Sequence, residues 1–259
     1  MPPPEFKEFE SLYADFRTLS DRQSLVHILD KSFRELNEFV ESLEKSDNGH
    51  SPHTVMLLNK HFMDYLSAGY ALREHLETSL KRDFGRTSEH AVRFPQVLWY
   101  LEKTCFEYAF LQDLRNFAQH CAFPVGNLQL TRSHSGGALS VSYSRQELVQ
   151  AYKGWKKSGL ESRPESEIDL LAAVRTAHRA AIQKFSGVVC LAYGKNLAGM
   201  DHRFSQYHKE AADINPNSVA RIVLSVTGNP ANGEVKLQDV PRDVYRLLGL
   251  KRPSSGSAF

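Results

Sequence analysis

The sequence has few cysteines, no long apolar run and no leader pattern, and each absence excludes a class of protein. Its three cysteines, Cys105, Cys121 and Cys190, are an odd number spaced far apart in apolar stretches, which favours reduced thiols over a disulfide framework. The most apolar run, residues 188–193, is far shorter than the roughly 20 residues that span a bilayer. The first residues, MPPPEFKEFE, lack the basic and apolar regions of a secretion signal. We therefore expect a soluble, cytoplasmic protein.

An excess of charge of one sign is also missing. The chain carries 32 Lys and Arg against 30 Asp and Glu, which gives a formal net charge of +2. Proteins that coat nucleic acid nonspecifically are strongly basic, so any RNA contact here must be local. The 259 residues, of which 41% are apolar, suffice for one large domain or for one domain with an appendage.

The sequence also lacks the residue spacings that are typical of metal sites. The chain has 11 histidines, yet neither His-Glu-x-x-His nor Cys-x-x-Cys occurs. The nearest candidates are three pairs: His50 with His53, Glu74 with His75, and His202 with His208. We therefore expect no metal and no cofactor.

The first 45 residues predict two amphipathic helices. Apolar residues recur at helical spacing over residues 6–19, which indicates a first helix of about four turns. Ser20, with Gln23 three residues later, has the pattern of a capping box. We expect this box to begin a second helix that ends near Lys45.

Two further helices are expected before Pro124. Ser51-Pro52 has the pattern of an N-cap followed by proline at the first helical position, and Gly85 suits the end of that helix. A fourth helix is predicted from near Pro95 until Pro124 forbids its continuation. Four such helices bury their apolar stripes most simply in an antiparallel bundle.

The second half of the chain has a mixed pattern. Strand-like residues 128–131 and 138–143 flank Ser135-Gly136-Gly137, which predicts a β-hairpin, and a short helix follows over residues 145–157. Residues 165–211 are again helical in pattern, with glycines that can divide them into two helices.

The tail alternates apolar and polar residues over 220–226 and 234–240, which predicts two strands around the turn GNPANG. A last short helix is expected over residues 241–248. We thus predict a mainly α protein in three parts: a helical bundle over residues 1–125, a hairpin and further helices packed on it over residues 126–212, and a small mixed α/β tail over residues 213–259.

One short motif on the predicted fourth helix suggests chemistry. Arg115 is followed directly by Asn116 and, five residues on, by His120. Cleaving RNA without a metal requires a base for the 2′-hydroxyl and a cation for the charge on the phosphate. Histidine and arginine can supply both.

The spacing of this motif has little value by itself. Arg22 with His27 and Arg203 with His208 share it, and such a pair arises by chance in roughly a third of chains of this length. Only Arg115 also has Asn directly after it, which lowers the chance rate about twentyfold. Only this pair lies on a strongly apolar helix that ends in proline.

The motif resembles that of the HEPN superfamily, whose core is an Arg, a polar residue that is often Asn, and a His a turn or more later. The resemblance covers residues 51–125 best and the rest of the chain more loosely. It implies a HEPN-like antiparallel helical bundle, in which the β-hairpin predicted from the residue pattern is an insertion. It also implies a metal-independent endoribonuclease that leaves a 2′,3′-cyclic phosphate. Arg115 and His120 would be catalytic, and Asn116 would organise the site. The family also implies a toxin or antiviral defence effector, with tRNA or mRNA as target and an antitoxin or regulatory protein as partner.

Helix geometry adds a constraint on this site. Asn116 and His120 are four residues apart and share a face, whereas Arg115 is rotated by about 100° from Asn116. One helix therefore does not converge all three side chains on one phosphate. A two-fold homodimer brings Arg115 of one chain beside His120 of the other. HEPN ribonucleases use such a composite cleft.

Two other interpretations of the same residues stay open. In the first, Arg115 and His120 are ordinary polar residues on a solvated helix face, and Asn116 bonds locally. In the second, the chain is a non-catalytic HEPN-like accessory module that binds RNA or a partner protein through this helix.

Overall fold

The structure, a computed structural model, describes residues 4–46, 51–133, 136–195, 197–214, 221–227 and 234–248. Within these ranges the protein is mainly helical, with a three-stranded antiparallel sheet and a separate antiparallel pair of strands. The predicted mainly α fold class is confirmed. None of the described helices is long and apolar enough to cross a membrane.

The helices are α1 (Pro4–Lys45), α2 (Pro52–Phe84), α3 (Glu89–Thr104), α4 (Phe106–His120), α5 (Arg145–Ala151), α6 (Leu170–Tyr193), α7 (Leu197–Ile214) and α8 (Val244–Leu247). The strands are β1 (Asn127–Ser133), β2 (Gly136–Ser144), β3 (Glu167–Asp169), β4 (Arg221–Thr227) and β5 (Glu234–Asp239).

The predicted break at Ser20 is wrong, because α1 is one continuous helix of 42 residues. Residues 5–45 contain neither proline nor glycine, so nothing in the backbone interrupts the hydrogen bonds of the helix. A capping box is needed only where amide groups lose their helical partners. Here Gln23, the second residue of the expected box, is instead a buried residue within the helix, 3% exposed.

The predicted helix from Pro95 to Pro124 is wrong in its start and in its continuity. α3 begins at Glu89, where Ser88 Oγ accepts a hydrogen bond of 3.2 Å from the amide of Ala91, and it continues through Pro95. The chain then becomes extended at Cys105 (φ −129°, ψ 98°) before α4 begins. Near this break the hydroxyl of Thr104 donates a hydrogen bond to the carbonyl of Tyr100, four residues earlier. Side-chain bonds of this type compete with the backbone hydrogen bonds of a helix.

Other expected boundaries are confirmed. Ser51 caps α2 through a 3.1 Å bond from the amide of Thr54, and Gly85 ends it at φ +90°, a conformation that favours glycine. The helical pattern of residues 165–211 divides at Gly194, where a Cβ would lie 2.5 Å from the carbonyl oxygen of Cys190. A Cβ on Gly187 would meet no atom within 4 Å, and that glycine stays inside α6.

The predicted strands are present, with one that was not expected. β1 and β2 form the expected antiparallel hairpin, and β4 pairs antiparallel with β5. Residues 167–169, predicted as helix, form β3 and extend the hairpin to three strands. The expected helices over 145–157 and 241–248 are shorter, at Arg145–Ala151 and Val244–Leu247. The expected turn at residues 228–233 lies outside the described residues.

The chain divides into two compact units, one of Ser24–Val188 and one of Met1–Gln23 with Val189–Phe259. We call the first the bundle unit and the second the terminal unit. The predicted boundaries after residues 125 and 212 stay a prediction.

Side-chain contacts show that two pairs of helices in the bundle unit, α1 with α2 and α2 with α4, run antiparallel. Phe39 of α1 packs on His61 of α2 at 4.8 Å between ring centroids, and Phe33 packs on Tyr65 at 6.2 Å. Residue numbers fall on α1 as they rise on α2, so the two helices have opposite directions. The same argument applies to α2 and α4, because Asn59 bonds the amide of Val125 while Tyr70 lies against Arg115.

The terminal unit has its own aromatic cluster. Phe9 of α1 lies 6.0 Å from Phe204 of α7, and Phe16 meets the same ring edge-on at 6.0 Å. Glu8 pairs with Arg203 at 3.1 Å across the same two helices. His208 of α7 bonds the carbonyl of Val240 at 2.9 Å, which ties α7 to the segment before α8.

A buried carboxylate fixes the segment after α5 to α4. Asp113, 2% exposed, accepts hydrogen bonds at its Oδ2 from the amide of Lys157 (3.1 Å) and from the amide (2.9 Å) and hydroxyl (2.8 Å) of Ser158. Trp155, 3% exposed, stacks on Phe110 of α4 with centroids 5.6 Å apart. Residues 155–158 therefore cover one side of α4 and hold it against the bundle.

Replacing Asp113 measures how much its carboxylate contributes to the stability of the fold. Asp113→Ala leaves the half-buried amides of Lys157 and Ser158, and the hydroxyl of Ser158, without their acceptor, and we expect the free energy of unfolding to fall by about 3 kcal/mol. Ser158→Ala removes only the hydroxyl bond and should cost about 1 kcal/mol. Urea denaturation followed by circular dichroism measures both. Equal losses for the two variants would contradict the proposed anchoring of the segment by Asp113.

Candidate functional site

The three motif residues lie on α4, on the part of its surface that the bundle leaves accessible. α4 buries an apolar stripe that includes Phe110, Leu114 and Phe117. Arg115 and Asn116 are half-buried beside this stripe, and His120 is exposed at the last residue of the helix. The amphipathic pattern of α4 thus keeps all three side chains out of the core.

Arg115 is held by an aromatic ring and an amide. Its guanidinium carbon lies 3.8 Å from the ring centroid of Tyr70 on α2, a close cation–π contact. Its Nη1 donates to Oδ1 of Asn116 at 3.3 Å. Its Nε is buried and has no hydrogen-bond partner. In the described part of the chain Arg115 has no carboxylate partner, so its positive charge is not neutralised by an ion pair.

His120 differs from Arg115 in its surroundings. Its imidazole is exposed, and among the described residues it has no hydrogen bond or ion pair. Three residues later Phe123 is also exposed, by 70%. A ligand can therefore reach the ring from solvent without displacing a neighbouring side chain.

The structure brings together two of the three predicted residues. Arg115 and Asn116 are bonded to each other, whereas His120 lies five residues further along α4, about 140° around the helix axis from Arg115. Asn116 and His120 share a face, four residues apart. Within one chain, Arg115 and His120 thus point to different sides of the helix.

Arg203 and His208 have the same spacing as Arg115 and His120, but their side chains have structural roles. Arg203 Nε pairs with Glu8 at 3.1 Å, and His208 Nε2 bonds the carbonyl of Val240 at 2.9 Å. Both side chains are committed to contacts within the protein. Among the described residues, Arg115 and His120 make no such polar contacts apart from the bond to Asn116, so they are available for a ligand.

Charged groups near α4 are arranged in a compact network. Glu102 of α3 pairs with Lys157 at 2.7 Å and with Arg73 of α2 at 3.5 Å. Burial raises the pKa of Asp113, while its hydrogen bonds from Ser158 and Lys157 act in the opposite direction. These charges are compensated within the fold, unlike that of Arg115.

Sequence reasoning missed two residues that position Arg115. Neither Tyr70 nor Asp113 was predicted to belong to the site. The signal for Asp113 was available: it lies three residues after Phe110 and four before Phe117, on the buried face. A carboxylate in that stripe requires buried donors. No comparable signal links Tyr70 to Arg115, because the two are 45 positions apart in sequence.

An apolar pocket lies beside the end of α4. It has a volume of 380 Å³ and is lined by residues of α2 and by Phe123. Met56, which lines it, is 56% exposed. This exposed apolar surface adjoins the segment that follows His120.

The described residues contain no group of three or more His, Cys, Asp or Glu side chains that could hold a metal ion. His50, of the candidate pair with His53, lies outside the described residues. All three cysteines are free thiols.

No protein-family model, curated protein or solved structure matches this chain.

A double-mutant cycle tests the contact between Tyr70 and Arg115. Tyr70→Leu and Arg115→Gln should show a coupling energy of about 1 kcal/mol in urea denaturation, because the contact is close and half-buried. Lys184 over Tyr100, at 5.1 Å and on an exposed ring, is the matched control pair. We expect a smaller coupling there. A cycle that gives no coupling for Tyr70 and Arg115 would exclude the cation–π contact as the element that holds the guanidinium.

Proposed function

We propose that this protein is a metal-independent endoribonuclease of the HEPN type, acting as a homodimer in the cytoplasm. The observation that carries the proposal is the guanidinium of Arg115, which is fixed by Tyr70 and Asn116 and has no carboxylate partner in the described part of the chain. A phosphate is the ligand that a held, unneutralised guanidinium binds best. The type of reaction is inferred from the resemblance of the motif to that of HEPN proteins.

In the proposed reaction His120 removes the proton of a ribose 2′-hydroxyl. The 2′-oxygen attacks the adjacent phosphorus and forms a new P–O bond, while the bond from phosphorus to the 5′-oxygen breaks. The leaving 5′-oxygen takes up a proton, and the products carry a 2′,3′-cyclic phosphate and a 5′-hydroxyl. Arg115 stabilises the charge that develops on the phosphate oxygens, and Asn116 holds Arg115 in place.

The separation of Arg115 from His120 around α4 requires a second copy of the chain. A two-fold axis near α4 would place Arg115 of one copy beside His120 of the other, and would create two equivalent sites. Target RNA such as tRNA or mRNA, a role as toxin or antiviral effector, and control by an antitoxin or other regulatory protein are parts of this proposal that follow from the resemblance.

The second candidate is a non-catalytic accessory module that binds RNA or a partner protein. The exposed apolar pocket around Met56 and Phe123 favours it, because exposed apolar side chains beside a groove are typical of protein contact surfaces. In this case Arg115 would contact phosphate or a carboxylate without any cleavage.

Cleavage of labelled total RNA and tRNA in EDTA separates the two candidates. We expect cuts by the wild-type protein and a loss of about 100-fold or more in rate for His120→Ala, because a general base is removed. Arg115→Lys keeps the positive charge but loses the planar guanidinium group with its paired N–H donors, and it should also lose most activity. His75→Ala, a change at an exposed histidine of α2, is the matched control and should be fully active. RNA binding without cleavage by the wild-type protein would favour the accessory module.

Mixing two inactive variants tests the composite site. Arg115→Ala and His120→Ala chains, refolded or expressed together, should form mixed dimers in which one of the two sites has both residues intact. Random pairing would restore about a quarter of the wild-type activity. The measurement is the cleavage rate of the mixture against that of each variant alone. A mixture that stays inactive, although mass spectrometry shows mixed dimers, would contradict a site shared between copies.

A further inference from the structure

A second polar site lies in the bundle unit, in a groove between α1 and α6. The groove has a volume of 740 Å³, and Phe33 and Arg34 of α1 line it opposite Arg175, Arg179 and Ile182 of α6. Sites for small molecules commonly have volumes of about 300–1,000 Å³ with apolar walls and a few polar groups. The groove is thus large enough for a ligand of that size.

The arginines that line the groove differ in whether a carboxylate neutralises their charge. Arg34 Nε donates to Asp30 Oδ2 at 3.1 Å, so its charge is paired. Arg175 Nε donates at 3.4 Å to the neutral amide oxygen of Asn37. Arg179 has no hydrogen bond or ion pair within the described residues. Arg175 and Arg179 are four residues apart and share a face of α6, so two unneutralised guanidinium groups lie side by side.

A buried histidine forms part of the wall. His178 is 7% exposed, and its ring stacks on Phe33 with centroids 3.8 Å apart and planes at 8°. Its Nε2 lies 3.3 Å from Asp30 Oδ1, which makes Nε2 the donor and leaves Nδ1 as an acceptor. That Nδ1 is buried and has no hydrogen-bond partner among the described residues. Burial lowers the pKa of His178, in keeping with a neutral ring.

Acidic side chains limit where an anion can bind. Glu38 and Glu41 of α1 also line the groove. Glu41 pairs with Lys45 at 3.7 Å, whereas Glu38 has no partner in the described part of the chain. An anion is therefore repelled from the α1 side and attracted to Arg175 and Arg179 on the α6 side.

We propose that this groove binds a small organic phosphate of about the size of a nucleoside monophosphate. The phosphate dianion lies against Arg175 and Arg179, whose two charges match its own. The organic part lies along Phe33 and Ile182, since the groove is much larger than a phosphate alone. His178 lies in the wall of the groove and is stacked on Phe33. This site is independent of the proposed ribonuclease site on α4.

Binding is tested with the four nucleoside 5′-monophosphates, adenosine and inorganic phosphate. Isothermal titration calorimetry of the full chain should detect at least one monophosphate with a dissociation constant below the millimolar range. Adenosine should bind at least tenfold more weakly because it lacks the charge, and inorganic phosphate should also bind more weakly because it lacks the apolar part. No binding of any monophosphate at millimolar concentration would overturn the proposal.

Four variants locate the binding. Arg175→Gln with Arg179→Gln, both on exposed residues, should weaken binding of the monophosphate at least tenfold. Glu38→Gln should strengthen it, because a like charge is removed. Arg93→Gln, on the exposed face of α3, and His120→Ala should bind as the wild type does. An affinity that the double variant leaves unchanged, or that His120→Ala abolishes, would assign the bound phosphate to another place and overturn the proposal.

Discussion

The buried carboxylate of Asp113 is the constraint on which the environment of α4 depends. A buried carboxylate is tolerated only where donors replace its water, and here two amides and a hydroxyl from Lys157 and Ser158 do so. The segment that carries these donors must therefore close over α4. Trp155 closes with it and stacks on Phe110. The rotation of α4 about its own axis is fixed as a result, and Arg115 and His120 are kept at the surface.

The charged side chains of this protein differ in whether an ion pair within the described residues neutralises them. Glu102 pairs with both Lys157 and Arg73, and Arg203 pairs with Glu8. Arg115 is held instead by an aromatic face and a neutral amide, which leave its charge uncompensated. A guanidinium placed in this way keeps its attraction for an external anion, because no internal carboxylate has to be displaced first. The same distinction separates Arg179 from Arg34 in the groove between α1 and α6.

The two proposed sites use different geometries of the same bundle unit. On α4, Arg115 and His120 lie on different sides of one helix, so the proposed ribonuclease site would need a second copy of the chain to complete it. The groove between α1 and α6 is concave, and one chain supplies all the arginines that line it. A macromolecular substrate suits the first arrangement and a small molecule suits the second.

The sequence by itself determined the mainly helical class, the caps of α2 at Ser51 and Gly85, the hairpin of β1 and β2, and the position of Arg115, Asn116 and His120 near the end of a helix. These features depend on local spacing, on turn residues and on the backbone freedom of glycine, which a single sequence displays. α1 continues through Ser20 because residues 5–45 contain no proline or glycine, so the capping pattern there was only a weak local signal. α3 continues through Pro95 although proline is unfavourable inside a helix, and its buried residues Phe94 and Leu98 supply tertiary contacts that stabilise it. Only the tertiary structure placed Tyr70 against Arg115, Ser158 against Asp113 and His178 against Phe33. These partners are separated by 45 to 145 positions, and no local pattern encodes a contact over such a distance.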